Sequence, residues 1–117
     1  MEKINWETVK LYTELPAKDG GNLYRQLFSA FFEEIHSEIA ALFDLITKNN
    51  FVGAAALAHK LKSSSGNLGL VSVYEYLNDI EDMIVNQDCK DDRILLLNVS
   101  YIKADLDYVF PILRDSC

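Results

Sequence analysis

Little in this chain cross-links or punctuates it. The two cysteines, Cys89 in a predicted loop and Cys117 at the last position, do not suit a disulfide framework, so free thiols in a reducing cytoplasm are expected. Neither has a neighbour that would activate it, which sets thiol chemistry aside. Only two prolines and five glycines interrupt 117 residues, leaving room for long regular elements. No apolar run approaches the roughly 20 residues of a membrane span, and the polar N-terminus does not read as a signal peptide. There is no glycine-rich phosphate loop, no HExxH and no spaced Cys/His/Asp cluster. Alternating strand patterns, internal repeats and low-complexity tails are missing too.

Half the residues are hydrophobic and a quarter charged, the balance of a globular protein, and this length makes one domain spanning 1–117. A net charge of −7 argues against nucleic acid or an anionic membrane as the main partner. Every strong periodic signal is helical. A short first helix is predicted from near Asn5 to Leu15, with Trp6, Val9 and either Leu11 or Tyr12 inward, broken by Pro16 and Lys18–Gly21. The second runs from an Asn22 N-cap to Lys48, with Tyr24, Phe28, Phe31, Ile35, Ile39, Leu42 and Ile46 on its apolar stripe. Leu27, Phe32 and Phe43 lie at the stripe's edges, where one or more could join a docking surface. Asn49 or Asn50 caps a third helix that frays near Gly66–Gly69. A fourth covers Val71 or Ser72 to Val85, with Val73, Leu77, Ile80 and Ile84 inside. Asp91 or Asp92 caps a fifth, through Leu95, Val99, Ile102, Leu106 and Val109, ending at Pro111–Leu113. Four long helices with short connections imply an all-α fold, an antiparallel up-down four-helix bundle with a short extra N-terminal helix.

The third helix carries the chemistry. At about 100° per residue, Ala54, Leu57, Ala58, Leu61, Ser65 and Leu68 share one side, and burying each leucine gains roughly 1.5–3 kcal/mol. Ala55, Ala56, His59, Lys62, Ser63 and Gly66 take the other. His59 therefore faces water among side chains too small to shield it. No Asp or Glu stands between Asp44 and Glu75, and the only charged residues there are Lys48, Lys60 and Lys62, which eases the approach of an anionic group. A neutral packing helix would show the same gap. An imidazole in water is largely neutral and nucleophilic at pH 7, and His59 could attack an acyl phosphate in line if a partner supplied metal and positioning. Lys62, one turn on, would offset the added charge, while Lys60 reads as a rim contact or a solvated side chain. A serine nucleophile is not supported, since Ser65 faces the core and no base is placed for Ser63. His36, among Glu33, Glu34 and Glu38, reads as a surface histidine, not a metal site.

His59-Lys60-Leu61-Lys62, followed by small residues and Leu68-Gly69, resembles the signature of histidine-containing phosphotransfer (HPt) domains. Ala58 before the histidine and the Ile80-Glu81 pair downstream add to the resemblance, as does the whole helix pattern. It implies that Nε2 of His59 accepts a phosphoryl group from the aspartyl phosphate of a receiver domain and passes it to another receiver. Lys62 would help hold the phosphoryl oxygens. Glu81 would accept a hydrogen bond from Nδ1–H and fix the tautomer, unless it is an ordinary exposed glutamate. Ser63 stands where the family usually has glycine, so its hydroxyl could also reach the phosphoryl group.

The expectation is a phosphocarrier without independent catalytic activity, cytoplasmic and monomeric. It would serve receiver domains of a hybrid sensor kinase and of response regulators, with no cofactor of its own and Mg2+ in the receiver. The opening methionine and compact length lean towards a free-standing protein. A receiver-docking adaptor that does not transfer phosphate, or an unrelated helical-bundle binding module, is the alternative. A metal- or haem-binding bundle would need inward polar ligands that these stripes lack.

Overall fold

The computed structural model describes residues 2–17 and 20–116, which form five helices: α1 (Trp6–Thr13), α2 (Leu23–Thr47), α3 (Phe51–Asn67), α4 (Val71–Val85) and α5 (Asp92–Ser116). Lys18 and Asp19, in the predicted break, and Cys117 lie outside the described residues. Three helices start on an asparagine whose side chain takes up otherwise unpaired amides. Asn5 accepts from Glu7 and Thr8, Asn22 from Arg25, and Asn50 from Gly53. At α5 the capping carboxylate is that of Asp91, which accepts from the Arg93 amide at 3.0 Å.

Connections 48–50 and 68–70 allow only antiparallel neighbours, and 86–91 is little longer. Each of α2, α3 and α4 packs on the next, and α5 closes the ring against α2. The result is the expected antiparallel up-down bundle, with α1 laid on α2. Its core is the predicted one in large part: Tyr24, Ile35, Ile39, Leu42, Ile46, Ala54, Ala58, Leu61, Val73, Leu77, Ile80, Leu95, Val99, Ile102, Leu106 and Val109 are all buried. Phe28, Phe31, Phe32 and Phe110 stack into an aromatic cluster.

The α3–α4 turn is gripped from two sides. The buried Tyr24 hydroxyl donates to the Leu68 carbonyl at 2.9 Å. The segment before α1 pairs with the turn as a short bridge, Asn5 N–H to Gly69 O at 2.7 Å and Val71 N–H to Lys3 O at 3.0 Å. Gly69 sits at φ +72°, and a Cβ there would lie 2.8 Å from the Asn5 carbonyl oxygen. The position therefore demands glycine for both conformation and space. These contacts fix how α3 and α4 lie against one another, and so the geometry of any site between them.

Several expectations need correction. Trp6 is not inward: 44% of it is exposed, because Ile4, paired with Leu70 ahead of the helix, already fills the space under so short an element. Of the alternatives, Tyr12 packs on the core and Leu11 is exposed. Ala55 is buried rather than outward, since α4 packs extensively against α3. Leu57, Phe28, Phe31 and Ile84 are only partly buried. Pro111 does not end α5, which continues to Ser116. The carbonyl that loses its donor belongs to Asp107, an exposed residue where water can replace the missing N–H.

Candidate functional site

His59 stands near the middle of α3 with 64% of its side chain exposed. Nδ1 lies 2.7 Å from Oε2 of Glu81 on α4. An ionised carboxylate has no proton to give, so this bond needs the hydrogen on Nδ1, which in the neutral ring leaves Nε2 as the bare nitrogen. The other oxygen of the same carboxylate accepts from the Lys62 ammonium at 2.7 Å. One carboxylate thus bridges the histidine and the lysine one turn further along α3.

Lys62 is more enclosed than a polar-face lysine should be, with 17% of its side chain exposed. Besides Glu81 it donates to Asn78 Oδ1 at 3.2 Å, and its ammonium lies 5.9 Å from the centre of the Tyr74 ring. Tyr74 also lies over Gly66, where a Cβ would meet the ring at 3.4 Å. Electrostatics agree with the geometry. The Lys62 ammonium, and after it His59, holds the Glu81 carboxyl below its ordinary value, and Glu81 in turn raises Lys62. In this structure Lys62 is committed to the neighbouring helix.

Ser63 is exposed beside His59, its hydroxyl directed back to the His59 carbonyl oxygen at 3.4 Å. Ser64 and Ser65 make the same bond to the carbonyl four residues earlier, and Ser65 is buried as expected. The acid-free run in the sequence is not acid-free in space. Lys60 pairs with Glu38 of α2 at 3.4 Å while Lys62 pairs with Glu81 of α4, so neighbouring helices supply the missing carboxylates.

Asn78 and Tyr74 are site neighbours that sequence reasoning missed. The signal was present: Tyr74, Asn78 and Glu81 are spaced four and three apart, which puts them on one face of α4. Of the predicted docking edge, Leu27 lines a groove of about 250 Å³ between α2 and α3, with Phe31, Lys60 and Ser64 on its walls. Phe32 belongs instead to the aromatic cluster, and exposed Phe43 lies under the Lys103 ammonium. His36 is exposed, and no three His, Cys, Asp or Glu side chains converge as metal ligands among the described residues. No helix among them is long and apolar enough to cross a membrane.

Comparison with known proteins gives no match among curated sequences. The family model described as the Hpt domain matches residues 26–109, which takes in α3, α4 and all the site residues described above. An exposed histidine on a helical bundle is what such modules present, and the match covers most of the chain. The chain belongs to the Hpt domain family, the histidine phosphotransfer modules of phosphorelays.

Proposed function

We propose that His59 is the phosphoacceptor, taking a phosphoryl group on Nε2 from the aspartyl phosphate of one receiver domain and giving it to the aspartate of another. The observation that carries this reading is the exposed ring with Nδ1 bonded to Glu81. That contact directs the free lone pair away from the bundle, where a partner's phosphorus can meet it in line. Lys62 acts through Glu81 in the resting state and is near enough along the helix to offset charge once the ring is phosphorylated. Ser63 keeps the surface low beside the ring. The receiver supplies the Mg2+ that assists transfer, and this chain acts as carrier rather than independent catalyst. The whole chain, 1–117, works as one domain, with α1 packed on α2 and the segment before it bonded to the α3–α4 turn. It acts as a monomer, which keeps α3 open to successive partners.

The test is incubation with a phosphorylated receiver and Mg2+, beside a His59→Gln variant, with the label mapped by mass spectrometry without acid. An acid-labile phosphate on His59, absent from the variant, is expected. Failure to take label from several active receivers, with the fold intact, overturns the carrier reading in favour of a docking adaptor.

A further inference from the structure

We infer that Glu81 keeps the Nδ1 proton on His59 through both halves of the transfer, so that the phosphorylated ring stands as a phosphoimidazolium poised to give its phosphoryl group away. This rests on the carrier reading and deepens it.

The chemistry follows from where the hydrogen sits. In the first half, the Nε2 lone pair forms the N–P bond while the acyl O–P bond breaks and its electron pair stays on the donor carboxylate. The ring entered neutral with a hydrogen on Nδ1, so it leaves as a cation bearing that same hydrogen. In the second half, a receiver carboxylate oxygen attacks phosphorus and the N–P pair returns to Nε2, restoring the neutral ring. No proton need move in either direction. If the phosphorylated ring lost its Nδ1 proton, the leaving group in the second half would be an imidazolate, far more basic and far slower to leave. Holding that proton decides whether the carrier can donate.

The geometry around the ring supplies the hold. Glu81 Oε2 is 2.7 Å from Nδ1, placed to stabilise positive charge on the ring. Its other oxygen is fixed by Lys62, which together with His59 keeps the carboxyl ionised. A carboxylate so held is a weak base and does not take the proton for itself. The other charged and titratable groups lie on the three helices that meet here. From α3 itself come Lys60 and Lys62, from α4 Glu81 and the Tyr74 phenol beside Lys62, and from α2 Glu38, which is engaged by Lys60. Among the described residues, Glu81 is the charged group bonded to the ring, and it faces the nitrogen that carries the proton.

Orientation alone would ask less of this residue. An amide oxygen in the same place could still accept from Nδ1–H and fix the tautomer, but it would add no negative charge. Glu81→Gln therefore separates the two roles. The full-length protein and Glu81→Gln are phosphorylated with phosphoramidate, a small-molecule donor that needs no receiver. The phosphohistidine is then followed by 31P NMR over roughly pH 6–9. The ring's deprotonation midpoint is expected to fall by about one pH unit or more in Glu81→Gln. Transfer from that variant to a receiver should then decline by roughly tenfold per pH unit above its midpoint, and the decline should begin at lower pH than in wild type. Coincident midpoints, with both proteins folded, overturn the proposal and leave Glu81 as an orienting group only. Should Glu81→Gln not fold, Lys62→Gln keeps the carboxylate without its ammonium. Its midpoint is expected at or above that of wild type, and a lower one overturns the proposal. A His59 that takes no phosphoryl group even from phosphoramidate overturns the carrier reading itself, an outcome distinct from either titration result.

Discussion

Glu81 answers to Lys62 and His59 at once, and the contribution of its pairing with Lys62 to folding depends on pH from both sides. Its carboxyl is depressed in the folded protein, by Lys62 first and His59 second. A depressed carboxyl adds stability above its unfolded value and loses it as pH falls through the folded one. Lys62 is raised by the same contact, so it adds stability below its unfolded value and loses it as pH rises through the folded one. The pair therefore contributes fully between about pH 5 and 10. The difference in urea midpoint between wild type and Glu81→Gln should be largest near neutrality and shrink on acidification to about pH 3. An unchanged difference would show that the charge adds nothing to folding. Ser63 invites a second measurement at this scale. Among the described residues its hydroxyl makes only the long bond to the His59 carbonyl, so Ser63→Gly should leave transfer in place and lower stability by about 0.5 kcal/mol, the helix-propensity difference. Loss of transfer in that variant would mean the hydroxyl reaches the phosphoryl group.

Helix α3 reaches α4 through a turn that residues distant in sequence grip from both sides, Tyr24 from one and the segment before α1 from the other. Gly69→Ala would place a methyl 2.8 Å from the Asn5 carbonyl and force a side chain into positive φ. A loss of at least about 1–2 kcal/mol is expected in denaturant unfolding. Tyr24→Phe removes the buried donor to Leu68 O, and about 1 kcal/mol should go with it. If either variant proved neutral, the turn could not be what sets the packing of α3 on α4. These contacts also show what the sequence could convey. The asparagine caps were legible because capping is chemistry between residues two or three apart. The apolar stripes were legible because burial follows the helical period. Face, however, is not rotation. The wheel put Lys62 and Ala55 on the polar side of α3, and the approach of α4 enclosed both. His59, Lys62 and Glu81 could be named from a short motif and a distance along the chain. That one carboxylate bridges the other two depends on the α3–α4 packing, which no single helix encodes. The ending at Pro111 failed for a related reason: proline removes one hydrogen bond, and an exposed carbonyl tolerates that loss.

At the scale of the whole molecule, the segment before α1 ties together parts of the bundle that the ring of helices leaves separate. Lys3 and Asn5 bond the α3–α4 turn through their backbones, and the Lys3 ammonium reaches Asp105 of α5 at 2.6 Å across the fold. The Asp105 carboxylate is nearly buried, and its second oxygen has no partner among the described residues. Lys3→Met would leave that buried charge without its counterion. Removing one partner of a fully buried pair costs about 3–5 kcal/mol, but the Lys3 side chain is 36% exposed and partly screened by water. A loss of about 1–3 kcal/mol is therefore expected. Adding Asp105→Asn to Lys3→Met removes the stranded charge and should restore part of that loss. Direction in pH gives an independent check. Lys3 is raised by Asp105, so its contribution is complete below its unfolded value, near about 10.5, and disappears as pH rises through the higher folded one. The stability difference between wild type and Lys3→Met should thus persist through neutrality and close only in strong alkali. Amide exchange at Asn5 and Val71, whose hydrogens bridge the strap and the turn, should quicken in Lys3→Met ahead of the core helices. If those amides keep their protection while global stability falls, the ion pair holds α5 and not the turn, and the site geometry would then rest on Tyr24 and Gly69 alone.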